Sequence, residues 1–105
     1  MEAVFRKHAD STAGHFVIEV AIEEKNLTGE LIFDLGTDGH WHRADMHWHY
    51  GNGELSKEDR PYARAARAKI ADLFEVNPGT ADGSVDLTDG DIIAARILLD
   101  RESVY

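Results

Sequence analysis

The stretch of residues 31–50 limits the possible folds most strongly, because its pattern predicts one long β-hairpin. Asp38-Gly39 separates two runs of apolar pattern, and this dipeptide favours a type I′ turn, whose two central residues both need positive φ. A two-residue turn there determines the register of the whole hairpin. The apolar face then pairs Leu31 with Met46, Phe33 with Ala44 and Leu35 with His42, and the other face pairs Glu30 with His47, Ile32 with Asp45 and Asp34 with Arg43.

A second interpretation of the same stretch turns the chain at Ala44-Asp45, in the middle of a near-palindrome at residues 40–49. That turn would stack four histidines on one face as a zinc site: His40, His42, His47 and His49. Alanine fits a positive φ poorly, so the sequence favours the earlier turn. In the favoured register, His47 and His49 remain a possible zinc site together with Glu30.

Two further segments, residues 2–8 and 15–24, have the pattern of strands. In the second segment, alternation places one apolar set on a single face: Phe16, Ile18, Val20 and Ile22. Ala3 and Phe5 of the first segment can join that face if residues 9–14 close a hairpin. Together with the long hairpin, these segments predict a four-stranded antiparallel β-meander with one apolar face.

A first helix is predicted after the strands. Ser56 or Asp59 can serve as its N-cap, and Pro61 is tolerated in its first turn. Apolar residues recur at helical spacing and should pack on the sheet: Tyr62, Ala66, Ile70, Leu73 and Phe74. A basic stripe on another face is expected to form local ion pairs with surface carboxylates: Arg60, Arg64 and Arg67. Residues 77–79 end this helix.

A second helix is predicted from Thr88, the N-cap, through Leu99, with Asp91 at the capping-box position. It is apolar nearly all round, so it is either deeply buried or shared with a second subunit, and a homodimer is possible. We therefore expect a single α+β domain over residues 1–105, in the order ββββαα, with both helices packed on one face of the sheet.

The segment of residues 82–89 resembles the second half of an EF-hand loop, and more closely a dockerin calcium loop. Five residues match the roles of those families: Asp82, Gly83, Val85, Asp86 and Asp89. The resemblance implies weak Ca²⁺ binding by the three aspartates, although Pro78 and Thr80 occupy the first and third ligand positions. The alternative is an Asp-Gly turn followed by a helix start whose acids complement the helix dipole.

Composition limits the compartment and the partners. The chain has no cysteine, no apolar run of membrane-spanning length and a polar start unlike a signal peptide, so we expect a cytoplasmic protein that does not bind membranes. A net charge of −9 disfavours direct binding to nucleic acid and suits a protein partner with a basic surface.

The second face of the sheet is the predicted binding surface, because both helices follow the strands and should cover only the apolar side. Its aromatic and arginine residues within a polar rim have the composition of an interface hot spot. The predicted partner-binding residues are Glu30, Ile32, Asp34, Trp41, Arg43, Asp45, His47 and His49.

No catalytic motif is present: the sequence lacks a nucleophile elbow, a P-loop and a GxGxxG loop, so we expect neither enzyme activity nor a required cofactor. The leading hypothesis is a small acidic inhibitor that masks the nucleic-acid-binding surface of a partner. Toxin-immunity proteins and phage-encoded antagonists of host defence are the analogous classes. The alternative hypotheses are a metal-binding module for Ca²⁺ or Zn²⁺ and, third, a small histidine-dependent enzyme.

Overall fold

In a computed structural model of the protein, residues 1–8, 14–35, 41–49, 55–77 and 79–102 are described, with the backbone alone at positions 16, 35 and 41–49. Within these residues the chain forms five strands, a short 3-10 helix and two α-helices. In chain order they are β1 (Glu2–Lys7), β2 (His15–Ile22), the 3-10 helix (Glu23–Lys25), β3 (Leu27–Leu35), β4 (Trp41–His49), α1 (Arg60–Val76), β5 (Gly83–Asp86) and α2 (Asp89–Glu102).

The strands form one antiparallel sheet in the order β4-β3-β2-β1-β5. The α+β class and the predicted four-stranded meander with two helices after it are confirmed. The structure adds β5, which lies between the two helices in the chain and pairs with β1, so that Glu2 lies opposite Asp86 and Phe5 opposite Gly83.

The two faces of the sheet follow the predicted alternation. Ala3 and Phe5 of β1 are buried, as are Ile18, Val20 and Ile22 of β2. They join residues of β3 and of both helices in one hydrophobic core, which places both helices on the same face of the sheet. Hydrophobic burial on this single face is the main favourable contribution to folding.

The pairing of β3 with β4 contains a β-bulge that the sequence analysis did not predict. Glu30 opposite His47, Leu31 opposite Met46 and Ile32 opposite Asp45 are confirmed, and the register shifts between Ile32 and Phe33. Ala44 is the extra residue. The predicted partners of Phe33, Asp34 and Leu35 are therefore wrong: these residues lie opposite Arg43, His42 and Trp41, respectively.

The four-histidine interpretation is also wrong, because β4 is continuous from Trp41 to His49 and does not turn at Ala44-Asp45. The predicted Asp38-Gly39 turn and His40 lie in residues 36–40, outside the described part of the chain.

Helix α1 covers the apolar face of the sheet. Asp59 is its N-cap residue and Pro61 lies in its first turn, as predicted, while the Ser56 hydroxyl oxygen accepts a hydrogen bond from the Asp59 N–H (3.2 Å). Ala66, Ile70 and Phe74 are buried, as predicted.

Two predicted core residues of α1 are less buried. Leu73 is 39% exposed. Tyr62 is partly buried, with the ammonium of Lys25 4.3 Å from its ring centroid. The helix ends at Val76, after which the Asn77 N–H donates to the carbonyl of Leu73 (3.0 Å).

Helix α2 begins with the predicted capping box. The Thr88 N–H donates to Asp91 Oδ2 (2.9 Å), and the Asp91 N–H donates to the Thr88 hydroxyl oxygen (3.2 Å). Ile92 and Ala95 join the core, but Ile93 and Ile97 are 57% and 50% exposed. Of the two predicted alternatives, a deeply buried helix is therefore wrong, and a helix shared with a second subunit stays a prediction. In the described part of the chain, no helix combines the length and apolar character that membrane crossing requires.

Two ion pairs hold α2 antiparallel to α1. At one end, the Arg64 guanidinium donates to both carboxylate oxygens of Glu102 (2.5 and 2.7 Å). At the other end, Lys69 Nζ donates to Asp91 Oδ2 (2.8 Å) and to the carbonyl of Asp86 in β5 (2.6 Å). The expectation that the arginine stripe makes local ion pairs is confirmed for Arg64.

Candidate protein-binding face

One face of the sheet carries the outward side chains of β1, β2 and β3, and within the described residues both helices pack against the other face. We call this surface the open face. It is formed by Glu2, Val4, Arg6, His15, Val17, Glu19, Ala21, Thr28, Glu30, Ile32 and Asp34.

Three of the predicted partner-binding residues lie on the open face: Glu30, Ile32 and Asp34 of β3 are each partly exposed. The other five lie on β4, whose side chains are outside the described part of the structure: Trp41, Arg43, Asp45, His47 and His49. Their part in binding stays a prediction. The β-bulge changes the predicted position of Arg43 in the ladder. Arg43 lies opposite the buried Phe33 and not opposite Asp34.

Glu19 of β2 is the centre of a charged cluster on the open face. Arg6 Nε donates to Glu19 Oε2 (2.5 Å), and His8 Nε2 lies 3.3 Å from Glu19 Oε1. Register explains the arrangement, because Arg6 lies opposite Glu19, and Glu19 lies opposite Glu30 on the next strand. One cation and two carboxylates thus form a row across three strands.

Asp34 has a different partner from the predicted one. His15 Nδ1 and Asp34 Oδ1 are hydrogen-bonded across β2 and β3, where the two residues lie opposite each other. On the other side of Asp34, the bulge places His42 opposite it in the ladder. The carboxylate of Asp34 therefore pairs with a histidine of β2 and not with the predicted arginine of β4.

A depression of about 460 Å³ lies on the open face beside the Glu19 row. The surface is lower here because Ala21, a small residue, lies opposite Val4 on one side and Thr28 on the other. Glu19 and Glu30 line the same depression. Alternation along β2 predicts that Ala21 faces away from the buried Val20 and Ile22, but it does not predict a depression there. The detectable signal was a small outward residue, although only the register shows which side chains surround it.

The depression has the chemistry to accept a lysine or arginine side chain. Such side chains bury an aliphatic stem against apolar surface while their charged end stays in polar surroundings. Val4 and Ala21 offer the apolar surface, and the Glu30 carboxylate offers oxygens that form strong charge-assisted hydrogen bonds with cationic groups. Glu19 also lines the depression, but its carboxylate already accepts a hydrogen bond from Arg6, so an incoming cation would share it.

The three aspartates of the predicted calcium segment, Asp82, Asp86 and Asp89, have different surroundings. Asp82 Oδ1 accepts a hydrogen bond from the Lys7 N–H (2.9 Å), and Asp86 Oδ1 lies 3.3 Å from the N-terminal ammonium of Met1. Asp89 is exposed in the first turn of α2. Among the residues whose side chains are described, no three His, Cys, Asp or Glu side chains are grouped so that they could hold a metal ion. Calcium binding at this segment and zinc binding at His47 and His49 stay predictions.

Asp91, which follows the calcium-like segment, has a structural role. Its hydrogen bond from Lys69, supported by the Thr88 N–H, lowers the pKa of its carboxyl from the ordinary 3.8 to about 2. Hydrogen bonding between Arg64 and Glu102 likewise lowers the pKa of Glu102. These two carboxylates attach α2 to α1.

Comparison with known proteins gives no relative: no protein-family model, curated protein or solved structure matches this chain.

Proposed function

We propose that this protein is a non-catalytic acidic binding protein whose open face receives a basic surface of a partner protein. The main support is the depression at Ala21, where apolar residues meet Glu19 and Glu30. This combination suits the stem and the charged end of a lysine or arginine side chain from the partner.

Charge supports a basic partner. The whole chain carries −9, and residues 1–36 hold 7 acids against 3 bases. The open face has the same bias, with four carboxylates and one arginine among its residues: Glu2, Glu19, Glu30 and Asp34 against Arg6. Complementary charge speeds the encounter of two proteins and excludes partners of the same sign.

The open face also has an apolar centre. Val17 and Ile32 lie opposite each other on β2 and β3, and both are partly exposed. A small apolar centre with a charged surround is the arrangement of interface hot spots, in which the surround excludes water from the central contacts. The partner therefore gains affinity from apolar burial and specificity from the carboxylates.

A partner surface that is basic and ordinarily binds nucleic acid fits this face best. An acidic protein that covers such a surface competes with the phosphate backbone, which attracts the same lysine and arginine residues. The protein would then act as an inhibitor, in the manner of an immunity protein or a phage-encoded antagonist of host defence. That role is our proposal.

The test captures partners from a lysate of the native host and measures their affinity after purification. Ala21→Tyr fills the depression, and Glu30→Lys reverses one carboxylate at its rim. Glu58→Lys is the matched control, because this exposed residue lies before α1 and its substitution changes the net charge by the same amount as Glu30→Lys.

We expect a basic partner that duplex DNA or RNA displaces, with affinity reduced about tenfold by Ala21→Tyr or Glu30→Lys and unchanged by Glu58→Lys. The proposal is wrong if the partner is not basic, if nucleic acid binds it together with this protein, or if all three variants bind equally.

A further inference from the structure

We propose that α2 pairs with the α2 of a second copy of this chain, antiparallel and about a two-fold axis. This inference concerns a surface separate from the open face, because α2 packs on α1, on the other side of the sheet. The proposed contact is a row of four residues at a spacing of four, which we call the α2 row: Asp89, Ile93, Ile97 and Arg101.

The centre of the α2 row is apolar and exposed. Ile93 and Ile97 are 57% and 50% exposed, while Ile92 and Ala95 on the other side of the helix are buried in the core. Two large aliphatic side chains one turn apart form a ridge, and such ridges pack into the grooves of a second helix. Burial against a second helix removes this apolar surface from water.

The ends of the α2 row have opposite charges. Asp89 lies at the N-terminal end and Arg101 at the C-terminal end. An antiparallel two-fold pairing therefore sets Asp89 of each copy against Arg101 of the other, and Ile93 of each copy against Ile97 of the other. An interface with a two-fold axis requires this self-complementarity, since one patch must fit itself. A parallel pairing would oppose like charges at both ends.

The net charge of α2 as a whole permits a second copy to approach. Asp91 and Glu102 are already neutralised by Lys69 and Arg64 of α1. The four other ionisable residues of α2 are two acids and two bases: Asp89, Asp100, Arg96 and Arg101. The helix surface is thus locally balanced although the chain carries −9. A strongly basic partner, which suits the open face, has no charge advantage here.

The size of the surface predicts a weak dimer. Helix α2 has 14 residues, which corresponds to a length of about 21 Å. One helix face of this length is smaller than the roughly 800 Å² per partner of a standard stable interface. We therefore expect dissociation constants of about 10 µM to 1 mM, and a dimer that forms as the concentration rises.

The first test is sedimentation equilibrium of the full chain across about 10 µM to 1 mM. We expect a concentration-dependent dimer that Ile97→Lys weakens at least about tenfold. Val76→Lys is the matched control, because Val76 is an apolar helix residue that is 88% exposed and lies on α1, outside the α2 row. Equal weakening by Val76→Lys would mean non-specific association, and a monomer at every concentration would overturn the proposal.

The second test reverses the charges at the two ends. Asp89→Arg alone and Arg101→Asp alone should each weaken the dimer about fivefold, because each makes both end contacts repulsive. The double variant Asp89→Arg/Arg101→Asp restores opposite charges and should regain the wild-type affinity. An equimolar mixture of the two single variants should associate more tightly than either alone. If the double variant stays as weak as the single variants, the antiparallel arrangement is wrong.

Discussion

The ring of Phe74 in α1 meets the ring of Phe5 in β1 edge to face, with centroids 5.5 Å apart and planes inclined by 81°. The ring of Phe33 in β3 also lies near Phe74, with centroids 6.2 Å apart. Because Phe74 is fully buried, Phe74→Ala should lower the free energy of unfolding by about 3–5 kcal/mol. Urea unfolding measures the loss. The neighbouring Leu73→Ala, at a 39% exposed position, should cost clearly less, and equal costs would contradict this description of the core.

The capping box of α2 should make the free energy of unfolding depend on pH in the acid range. The low pKa of Asp91 means that its carboxylate stabilises the folded state above about pH 4 and loses this effect as the pH falls towards 2. Asp91→Asn should cost about 1 kcal/mol at neutral pH, and the difference from wild type should shrink between pH 4 and pH 2. Asp89→Asn is the control, because it removes one carboxylate from the same helical turn without changing the capping box. A difference that is constant with pH would show that the charge of Asp91 does not matter.

Asn26, between the 3-10 helix and β3, has a left-handed backbone with φ of 53°. Asparagine and glycine adopt this conformation readily, whereas a β-branched residue is strained there. Asn26→Val should therefore lower the free energy of unfolding by about 1–2 kcal/mol, and Asn26→Gly should leave it nearly unchanged. The midpoint of urea unfolding compares the two variants. Similar losses in both would mean that the Asn26 side chain matters and its backbone conformation does not.

Metal binding is tested by thermal melts in EDTA, then with Ca²⁺, then with Zn²⁺. A ligand at one hundred times its Kd stabilises a fold by about 2.7 kcal/mol, which raises the midpoint by several degrees. We expect no rise with calcium, because Asp82 and Asp86 already accept contacts from Lys7 and the Met1 ammonium. A calcium-dependent rise that Asp82→Asn abolishes would support the calcium hypothesis, and a zinc-dependent rise that His47→Ala abolishes would support the histidine site.

Local patterns predicted much of this fold because the interactions behind them are local. The alternation of Ile18, Val20 and Ile22 determined which side of β2 is buried, and the reciprocal Thr88–Asp91 bonds join residues only three positions apart. Such features depend on a few neighbouring residues, so a single sequence contains enough information to recognise them.

The register near the tip of the hairpin could not be predicted in the same way. A two-residue turn requires uninterrupted pairing, and the bulge at Ala44 breaks that pairing while leaving Leu31 opposite Met46. No residue type marks the bulge, since alanine is compatible with paired and unpaired positions alike. Because of the bulge, Asp34 does not lie opposite Arg43 as predicted. The Asp34 carboxylate is hydrogen-bonded to His15 of β2 instead.

Strand β5 and the exposed side of α2 depend on distant parts of the chain. β5 has four residues and one apolar side chain, Val85, so its strand conformation depends on the backbone groups that β1 offers for pairing. The composition of α2 showed that it is apolar on most sides but not which sides the core would cover. The depression at Ala21 likewise exists only because three strands align.

The pairing of β1 with β5 has a consequence for the way the chain is made. Lys7 and Asp82, which are bonded where the two strands meet, are 75 residues apart. At ribosomal rates of about 5–20 residues per second, β1 emerges roughly 4–15 s before the partner for its second edge. During that interval its unpaired N–H and C=O groups can pair with strands of other nascent chains. Completion of β5 therefore closes this edge of β1 to pairing with other chains.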